Sequence, residues 1–545
     1  MQSTRSRVLG ASIGALLSLS AAGVSDAKSA GDEQSAKETA KQIQALRDQL
    51  DALQRRVDAQ ATTDQQAKEQ ASAAAAQAAS ANDSVKAATA AIPAQVTSAV
   101  NAAKPKNDKL YYKGVSITLG GFAAFESIYR THNETADISS SFSAIPYPNG
   151  AVGHTGEVRF TARQSRVQAL VQGDVDPATH LGFFGEFDFQ GAAQTANSNE
   201  SNSYNPRIRN LYGQIDWDNS GLHLLAGQNW SLVTLNSKGI TPRNEAPPPT
   251  IDAQYIPGFA WTRQPQIRLT KDFDKTVWLA VSAENPQTTF YTGANAFPAS
   301  VKLTYNSAAG SGFNSANTLS LNHIPDVVAK VAYEPTFADR NMHFEVFGLY
   351  RGFAERLNMA NEDASGGGFG AGVMIPLIPK VLDFQVSGLA GKGIGRYGSS
   401  QLPDVTFDPT GHIRPISEVM GLAGLTLHAG SSLDIYAFAG EEKESAQPYD
   451  AVVAGVLTGY GYGNPLYSNA GCQYEGAPGA CVGNSRVIEQ ATLGFWHRPY
   501  VGAFGRIQYG LQYSYTERKA FAGAGGISPV GNDGMLFASF RYYPF

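Results

Sequence analysis

The chain of 545 residues has almost no long apolar segment and contains only two cysteines. Its mean hydropathy is slightly negative, at -0.22. Beyond a short apolar run near the start, nothing approaches the roughly 18 consecutive apolar residues of a membrane-spanning helix, which excludes a helical membrane protein. A transmembrane β-barrel is not excluded, because its strands are apolar only at every second residue.

Sequence patterns of catalytic sites are missing as well. The nine histidines are scattered, without the His-Glu or His-Cys spacing of metal sites. Beyond the first 27 residues, neither a Gly-x-Ser-x-Gly motif nor a phosphate-binding loop appears. We therefore expect that the protein is not an enzyme and that it uses no metal, no cofactor and no nucleic-acid partner.

The two cysteines, Cys472 and Cys481, lie nine positions apart in a stretch rich in Gly and Pro. In an oxidising compartment this pair is predicted to form one local disulfide, which stabilises its loop by about 2 to 3 kcal/mol. A metal site built on the two thiols is disfavoured, because no His lies within the short spacing that such sites use.

The first 27 residues have the features of a secretory signal peptide. Arg5 and Arg7 give a positive start, residues 8–19 form a short apolar run, and small residues lie around Ala27. The apolar run is too short to span a bilayer, and no stop-transfer pattern follows it, which disfavours a membrane anchor. We predict that the mature protein starts near Lys28.

Residues 28–104 are predicted to form a periplasmic coiled-coil segment with an Ala-rich linker. Between residues 36 and 92 there is almost no Gly or aromatic residue, and the apolar positions repeat every seven residues. The predicted core positions are Ile43, Leu46, Leu50, Leu53 and Val57. A helix with so narrow an apolar stripe is stable when it associates with copies of itself. In the alternative, only residues 34–59 coil and the Ala-rich remainder is a spacer.

From residue 105 to residue 545 the apolar period changes to two. The clearest examples are residues 179–190, 276–284 and 505–515, in which one phase is apolar and the other carries charged and polar side chains. This pattern predicts an all-β transmembrane barrel of about 16 antiparallel strands, with the α-helical coiled coil before it. The predicted strands are 115–129, 157–172, 179–190, 206–217, 221–229, 262–271, 275–285, 326–336, 341–353, 366–376, 380–391, 415–429, 432–442, 486–497, 503–516 and 534–545. A soluble periplasmic β-protein remains the alternative.

The last strand ends in Phe545, and it alternates through Leu536, Ala538, Phe540 and Tyr542. An aromatic strand with a terminal Phe, after a signal peptide, resembles the signature of outer-membrane β-barrels. Phe545 is out of phase with the other four residues, so Pro544 must break the alternation. We expect a bacterial outer-membrane protein with its coil in the periplasm.

Four motifs extend this resemblance to one family. They are FTARQSR at 160–166, RIRNLYG at 207–213, GQNWS at 227–231 and RQPQIR at 263–268. In these motifs and in its N-terminal coil, the chain resembles the DcaP-like trimeric porins of Gram-negative bacteria. The resemblance implies a homotrimer of sixteen-stranded barrels, a loop that narrows each pore, and uptake of small anionic solutes, including dicarboxylates.

Basic residues gather early in the barrel, on the strands that flank residues 231–261. The predicted pore-lining and anion-binding residues are Arg159, Arg163, Arg166, Arg207, Arg209, Arg243, Arg263 and Arg268. Guanidinium groups match carboxylate and phosphate, and a ladder of them attracts anions without holding one tightly. Strict alternation places Arg159, Arg163, Arg207 and Arg209 in the lipid-facing phase, so a β-bulge is needed to turn them inward.

Several alternatives stay open at this stage. The arginines could pair with Glu186 and Asp188 across strands, or bind lipopolysaccharide outside. The Pro-rich segment 231–261 is predicted to fold into the pore, with an external lid as the alternative. For function, a porin for small organic anions competes with a phosphate- or polyphosphate-selective porin. A third reading makes the coil an outer-membrane tether that contacts peptidoglycan.

Overall fold

A computed structural model describes residues 32–90, 109–191, 205–308 and 318–545, with the side chains of residues 32–40, 42, 46 and 82–90 left undescribed. The predicted signal peptide and the end of the predicted linker lie outside these ranges. The chain divides into two compact units, Met1–Lys104 and Pro105–Phe545. Among the described helices, none combines the length and the apolar character needed to cross a membrane.

The first unit contains one long helix, α1, Asp32–Ala90. Its 59 residues include neither Gly nor Pro, and at a rise of about 1.5 Å per residue it is about 90 Å long. Ile43, Leu50, Leu53 and Val57 are 48%, 63%, 61% and 63% exposed. The side chain of Leu46 lies outside the described part. The helix therefore leaves its apolar stripe uncovered in a single chain, and its association as a coiled coil stays a prediction.

The second unit is a closed antiparallel barrel of sixteen strands, which confirms the predicted fold class. The strands are β1 Val115–Arg130, β2 in two segments Glu157–Thr161 and Arg166–Asp176, β3 Thr179–Gly191, β4 Asn205–Trp217, β5 Leu222–Trp230, β6 Arg263–Phe273, β7 Val277–Glu284, β8 Asp326–Tyr333, β9 His343–Leu357, β10 Ala360–Ile378, β11 Leu382–Lys392, β12 Ser417–Ala429, β13 Leu433–Glu444, β14 Ser485–Gly502, β15 Gly505–Ala520 and β16 Val530–Tyr543. Each strand pairs with the next, and β1 pairs with β16 to close the barrel. Every predicted strand overlaps one of the sixteen.

The alternation of side chains sets which face of each strand points into the barrel. In β16, Leu536 and Phe540 are 40% and 48% exposed on the outside, whereas Phe537 and Ser539 are buried on the inside. The strand ends at Tyr543, before Pro544, so Phe545 falls outside the alternating strand. The outer wall is therefore apolar and the inner wall is largely polar, as a membrane barrel requires.

The two rims of the barrel differ in the length of their connections. One rim, named here the short-turn rim, carries brief turns such as residues 177–178, 218–221, 274–276 and 430–432. The other, the long-loop rim, carries the segments 131–156, 231–262, 285–325, 393–416 and 445–484. One additional short strand, Leu110–Tyr112, precedes β1. Others occur in the connections between strands, at Leu303–Thr304, Asn306–Ala308, Thr318–Ser320, Thr336–Phe337, Arg340–Asn341, Val405–Phe407, Ile413–Pro415, Gln447–Val453 and Val456–Tyr462.

The segment 445–484 contains the disulfide between Cys472 and Cys481, with Cα atoms 4.7 Å apart. Cys472 is fully buried and packs against Tyr147 from the segment 131–156. The hydroxyl of Tyr147 donates a 2.9 Å hydrogen bond to the carbonyl of Gly483. The disulfide therefore stabilises the segment 445–484 at the place where the segment 131–156 packs against it.

Candidate functional site

Residues 231–261, named here the constriction loop, lie inside the barrel rather than over its mouth. Ile251 and Phe259 are at most 1% exposed. Three inward side chains hold the loop backbone: Gln385 donates to the carbonyl of Ala246 at 2.8 Å, Trp496 donates to the carbonyl of Pro249 at 2.7 Å, and Gln512 accepts from the amide of Ile251 at 2.6 Å. The inward prediction for this loop therefore holds, and the external lid is wrong.

Apolar contacts fix the constriction loop against one side of the wall. Ile256 and Phe259 pack with Leu422 and Phe438 of β12 and β13. Farther along the loop, Leu232, Val233 and Ile240 form a second cluster with wall residues that include Val328, Phe347 and Leu389. The loop thus lies against the inner face of β8–β16, and its residues Tyr255 and Trp261 also reach Arg209 of β4 and Arg263 of β6.

Glycines allow this close approach of backbone to backbone. Gly258 of the loop has φ +90, a conformation that favours glycine. A Cβ on Gly440 of β13 would lie 2.0 Å from the carbonyl oxygen of Pro257. The inner wall of β13 at this position must therefore lack a side chain for the loop to dock.

Replacing Gly440 with Val is expected to push the constriction loop off the wall and widen the pore. Single-channel conductance in planar bilayers should rise, because the narrowest section loses part of its obstruction. Gly213→Ala is the matched control, because a Cβ there has no atom within 4 Å. Unchanged conductance in a correctly folded Gly440→Val barrel would show that the loop does not set the pore size.

Beside Tyr255 and Trp261 of the loop, four arginines come together and form what is named here the arginine cluster: Arg166, Arg207, Arg209 and Arg263. They stand on β2, β4 and β6. Arg209 reaches the inside through a β-bulge. Glu186 pairs with Asn210 whereas Phe187 pairs with Ile208, so Arg209 is the extra residue of β4. The predicted bulge is therefore present, and both Arg207 and Arg209 point inward.

A break in β2 corrects the phase that strict alternation assigns to Arg159 and Arg163. Thr161 pairs with Glu126, and Arg166 pairs with Phe122. Between these two pairs, β2 spans five steps along the chain (161 to 166), whereas β1 spans four (126 to 122). The one extra residue in β2 inverts the alternation of its side chains. Arg159 consequently shares the inward phase of Thr161 rather than the lipid-facing phase.

Two carboxylates are embedded in the arginine cluster. Arg207 binds Asp188 through both Nε and Nη2, at 3.0 and 2.7 Å. Arg209 binds Glu186 and also donates to Asp188 at 3.0 Å. Arg166 lies 3.8 Å from Glu186. The cross-strand pairing that the sequence left as an alternative therefore occurs, but four arginines face only two acids here, which leaves a surplus of two positive charges.

Arg263 carries much of this surplus. Its guanidinium lies between Trp230 and Trp261, 4.8 and 5.6 Å from their ring centroids. Its Nη1 is buried without a hydrogen-bond partner in the described part of the chain. The positive charges of Arg207 and Arg209 repel the Arg263 guanidinium. Stacking between two indoles orients the guanidinium and leaves donor capacity for a ligand.

The other predicted arginines lie apart from the cluster. Arg159 is exposed and 3.1 Å from Glu157. Arg163 binds Asp137 at 2.9 Å toward the long-loop rim. Arg243 donates to the hydroxyl of Tyr212 at 2.9 Å and lies over the ring of Phe184. Each of these three guanidiniums therefore interacts with a residue outside the arginine cluster.

Arg268 requires a correction. It points into the barrel as predicted, but it is only 2% exposed. Its guanidinium donates to the carbonyl of Trp230 at 2.6 Å and to Gln266 at 3.0 Å. Arg268 also lies near Glu245 of the constriction loop, which follows Trp230, the last residue of β5. The charge of Arg268 contributes to the field in the pore, but a passing solute would not contact it.

Some charged residues near the pore come from segments that have no periodic pattern. Arg351 of β9 and Arg396 of the segment 393–416 share Asp326, at 3.1 and 3.4 Å. Asp404 of the same segment binds Arg351 at 2.5 Å. Two arginines and two acids balance each other here. Arg396 and Asp404 could not be placed from the sequence, because the segment lacks alternation.

Comparisons with known proteins give the fold a context. No family model matches the chain, and no curated protein does so either. The chain is similar in structure to the outer membrane channel DcaP of Acinetobacter baumannii, with a TM-score of 0.54. The alignment covers 79% of this chain and 99% of that chain, at 18% identity. This is the fold of an outer-membrane channel.

At that level of identity the likeness establishes the porin fold alone. Two further solved porins superpose less closely. OmpF of Salmonella typhi has a TM-score of 0.44 at 11% identity, covering 80% of this chain and 99% of that chain. The anion-selective porin from Comamonas acidovorans has a TM-score of 0.41 at 12% identity, covering 79% and 99%.

Proposed function

We propose that the protein is an outer-membrane porin, a water-filled channel for the passive diffusion of small hydrophilic solutes that favours organic anions such as dicarboxylates. The observation that carries the proposal is the arginine cluster beside the constriction loop, in which three guanidiniums share two carboxylates and the fourth, that of Arg263, pairs with neither. A solute that enters the narrowed section meets a wall with surplus positive charge.

The local charge outweighs the net charge of the chain, which is -5. Ions in a constriction feel mainly the charges within about one Debye length, roughly 8 to 10 Å at physiological salt. Acids that lie farther away than this are screened. Carboxylates partly neutralise the arginine cluster, and aromatic rings stack on it. A carboxylate solute is therefore attracted but not bound tightly.

Block by solutes tests the solute class. Succinate, phosphate and an uncharged analogue of similar size are added to single channels in planar bilayers, and interruptions of the chloride current are counted. We expect succinate to interrupt the current and the uncharged analogue to leave it unchanged. Stronger block by phosphate than by succinate would favour the phosphate-selective alternative.

The outer membrane is the proposed location. The apolar outer wall of the barrel, the polar inner wall and the signal peptide predicted for residues 1–27 support it. In this placement the short-turn rim faces the periplasm and the long-loop rim, with its disulfide, faces outward. Lipid and lipopolysaccharide then surround the outer wall, and α1 lies in the periplasm, where peptidoglycan is a further candidate partner.

A homotrimer is the proposed assembly. The uncovered stripe of α1, with Leu50, Leu53 and Val57 each more than half exposed, needs partners to be stable in water. Native mass spectrometry after gentle detergent extraction should show three chains. Deletion of residues 31–103 should leave a folded, conducting barrel that dissociates more readily. A full-length monomer at micromolar concentration would contradict the assembly, and loss of β-structure on deletion would contradict the domain boundary.

A further inference from the structure

Four of the nine histidines share one arrangement at the short-turn rim. They are His180 of β3, His223 of β5, His343 of β9 and His428 of β12. In each, both ring nitrogens lie at hydrogen-bond distance from a carboxylate, and the two carboxylates belong to different residues. The proposed anion conduction assigns no role to this feature.

The distances are similar in all four places. His180 lies 2.6 Å from Asp174 and 3.1 Å from Asp218. His223 lies 2.7 Å from Asp216 and 3.0 Å from Asp272. His343 lies 2.9 Å from Glu334 and 3.0 Å from Glu345. His428 lies 2.7 Å from Asp434 and 3.1 Å from Asp383.

This geometry fixes the protonation state of the rings. A neutral imidazole has one N–H donor and one acceptor nitrogen, whereas an ionised carboxylate only accepts hydrogen bonds. Two carboxylates on one ring are therefore both satisfied only when the ring is an imidazolium with two donors. Each of the four histidines consequently carries a positive charge in this arrangement, and loss of its proton would leave one carboxylate facing a nitrogen lone pair.

The four rings also share the inward phase of the barrel wall. His180 pairs in register with Asp174 and Asp216, and His223 pairs with Asp216 and with Thr270, which is buried on the inside. On the far side, His428 pairs with Asp434, next to the buried inward side chain of Tyr436. The histidines therefore line the periplasmic mouth of the pore from several directions.

Other groups also face these bridges. Arg498 binds Asp434 at 2.6 Å, and Lys330 binds Glu345 at 2.7 Å. Asp176 adds a further acid near His180, and Arg243 acts on Asp216. His223 stacks on Trp278, with ring centroids 5.7 Å apart. Lys271 donates to the carbonyl of Asp272, and the charge of Arg268 acts on Glu345. Uncharged donors are Gln214 on Asp216, and the backbone amides of Lys275, Asn236 and Gly239 on Asp272, Glu345 and Glu334. Acids thus outnumber the permanent cations, and the histidine protons set the balance.

We infer that this ring of histidine–carboxylate bridges is a pH-dependent charge filter at the periplasmic mouth, which weakens the channel's preference for anions as the pH rises. Each proton lost makes the mouth more negative by one charge, up to four charges per chain. The filter lies at the end of the strands opposite to the one where the long loops begin, and it is separate from the arginine cluster. Its effect on anion traffic rests on the proposed function.

The test is the zero-current potential of reconstituted channels in a KCl gradient, measured at about pH 5 and about pH 9, on either side of the usual histidine range. The wild-type ratio of chloride to potassium permeability should fall by at least about twofold between the two values. The triple variant His180→Gln, His223→Gln, His428→Gln should lose most of this change. His343 is left intact because Glu334 and Glu345 also hold the constriction loop.

His497→Gln is the matched control, since His497 belongs to the same rim, is partly exposed and binds the hydroxyl of Tyr509 rather than an acid. This control should retain the wild-type pH dependence. Heat-modified electrophoretic mobility reports whether each barrel is folded. If the triple variant does not fold, His428→Gln alone replaces it, and this variant should lose about a third of the pH-dependent change in the permeability ratio.

Two results would overturn the inference: a wild-type permeability ratio that does not change with pH, or the same change in the folded histidine variant. A channel that favours potassium at both pH values, yet favours it more at the higher value, would support the filter while refuting the proposed anion preference. The two proposals therefore fail separately.

Discussion

Replacing Arg166 and Arg263 with Gln should remove the anion preference of the channel. The two substitutions delete as many positive charges as the arginine cluster holds in surplus over Glu186 and Asp188. The zero-current potential in a KCl gradient should move toward that of a nonselective or cation-preferring pore, and block by succinate should weaken by about tenfold, as expected for the loss of one or two charge-assisted hydrogen bonds.

The matched control for this pair is Arg356→Gln. Arg356 is exposed at the end of β9 and donates to the side chain of Asn361 at 2.7 Å, away from the inner wall. It should leave the zero-current potential unchanged. If the double variant retains the full preference for chloride, the charge that selects anions lies outside the arginine cluster.

Replacing Asp188 with Asn should destabilise the barrel strongly and increase its preference for anions. Asp188 is fully buried and accepts hydrogen bonds from both Arg207 and Arg209, of which Arg209 is only 2% exposed. Removing one partner of a buried ion pair costs about 3 to 5 kcal/mol, because the remaining charge stays buried without compensation. Unfolding in urea, followed by heat-modified electrophoretic mobility, measures the loss.

Asp363→Asn provides the comparison for this experiment. The side chain of Asp363 is 59% exposed and lies 3.7 Å from His323, so its removal should change stability by less than about 1 kcal/mol. Equal stability of the Asp188 and Asp363 variants would mean that hydration, and not Asp188, stabilises the charges of Arg207 and Arg209.

Much of the barrel follows from the sequence, because burial on one face imposes a period of two on each strand. In β16 the alternation from Leu536 to Tyr542 predicts which side chains face outward, and it also predicts that Phe545 falls outside the strand. The sixteen strands are recognisable for the same reason. Strand order then follows from chain order, since each strand pairs with its neighbour.

The candidate site depends on features that alternation does not encode. One extra residue in β2 and one in β4 invert the phase, and these decide where Arg159 and Arg209 point. The burial of Arg268 depends on the constriction loop, whose contacts with Gln385 and Gln512 join residues more than a hundred positions apart. Tertiary contacts of this kind leave no local signal in the sequence.

The zero-current potential of the unmodified protein in a KCl gradient tests the central claim most directly. It is measured near neutral pH after reconstitution of the full chain into planar bilayers. A water-filled channel with surplus positive charge beside its constriction loop should conduct, and the potential should have the sign of chloride permeation. A potential with the sign of potassium permeation, or a folded barrel that does not conduct, would contradict the account.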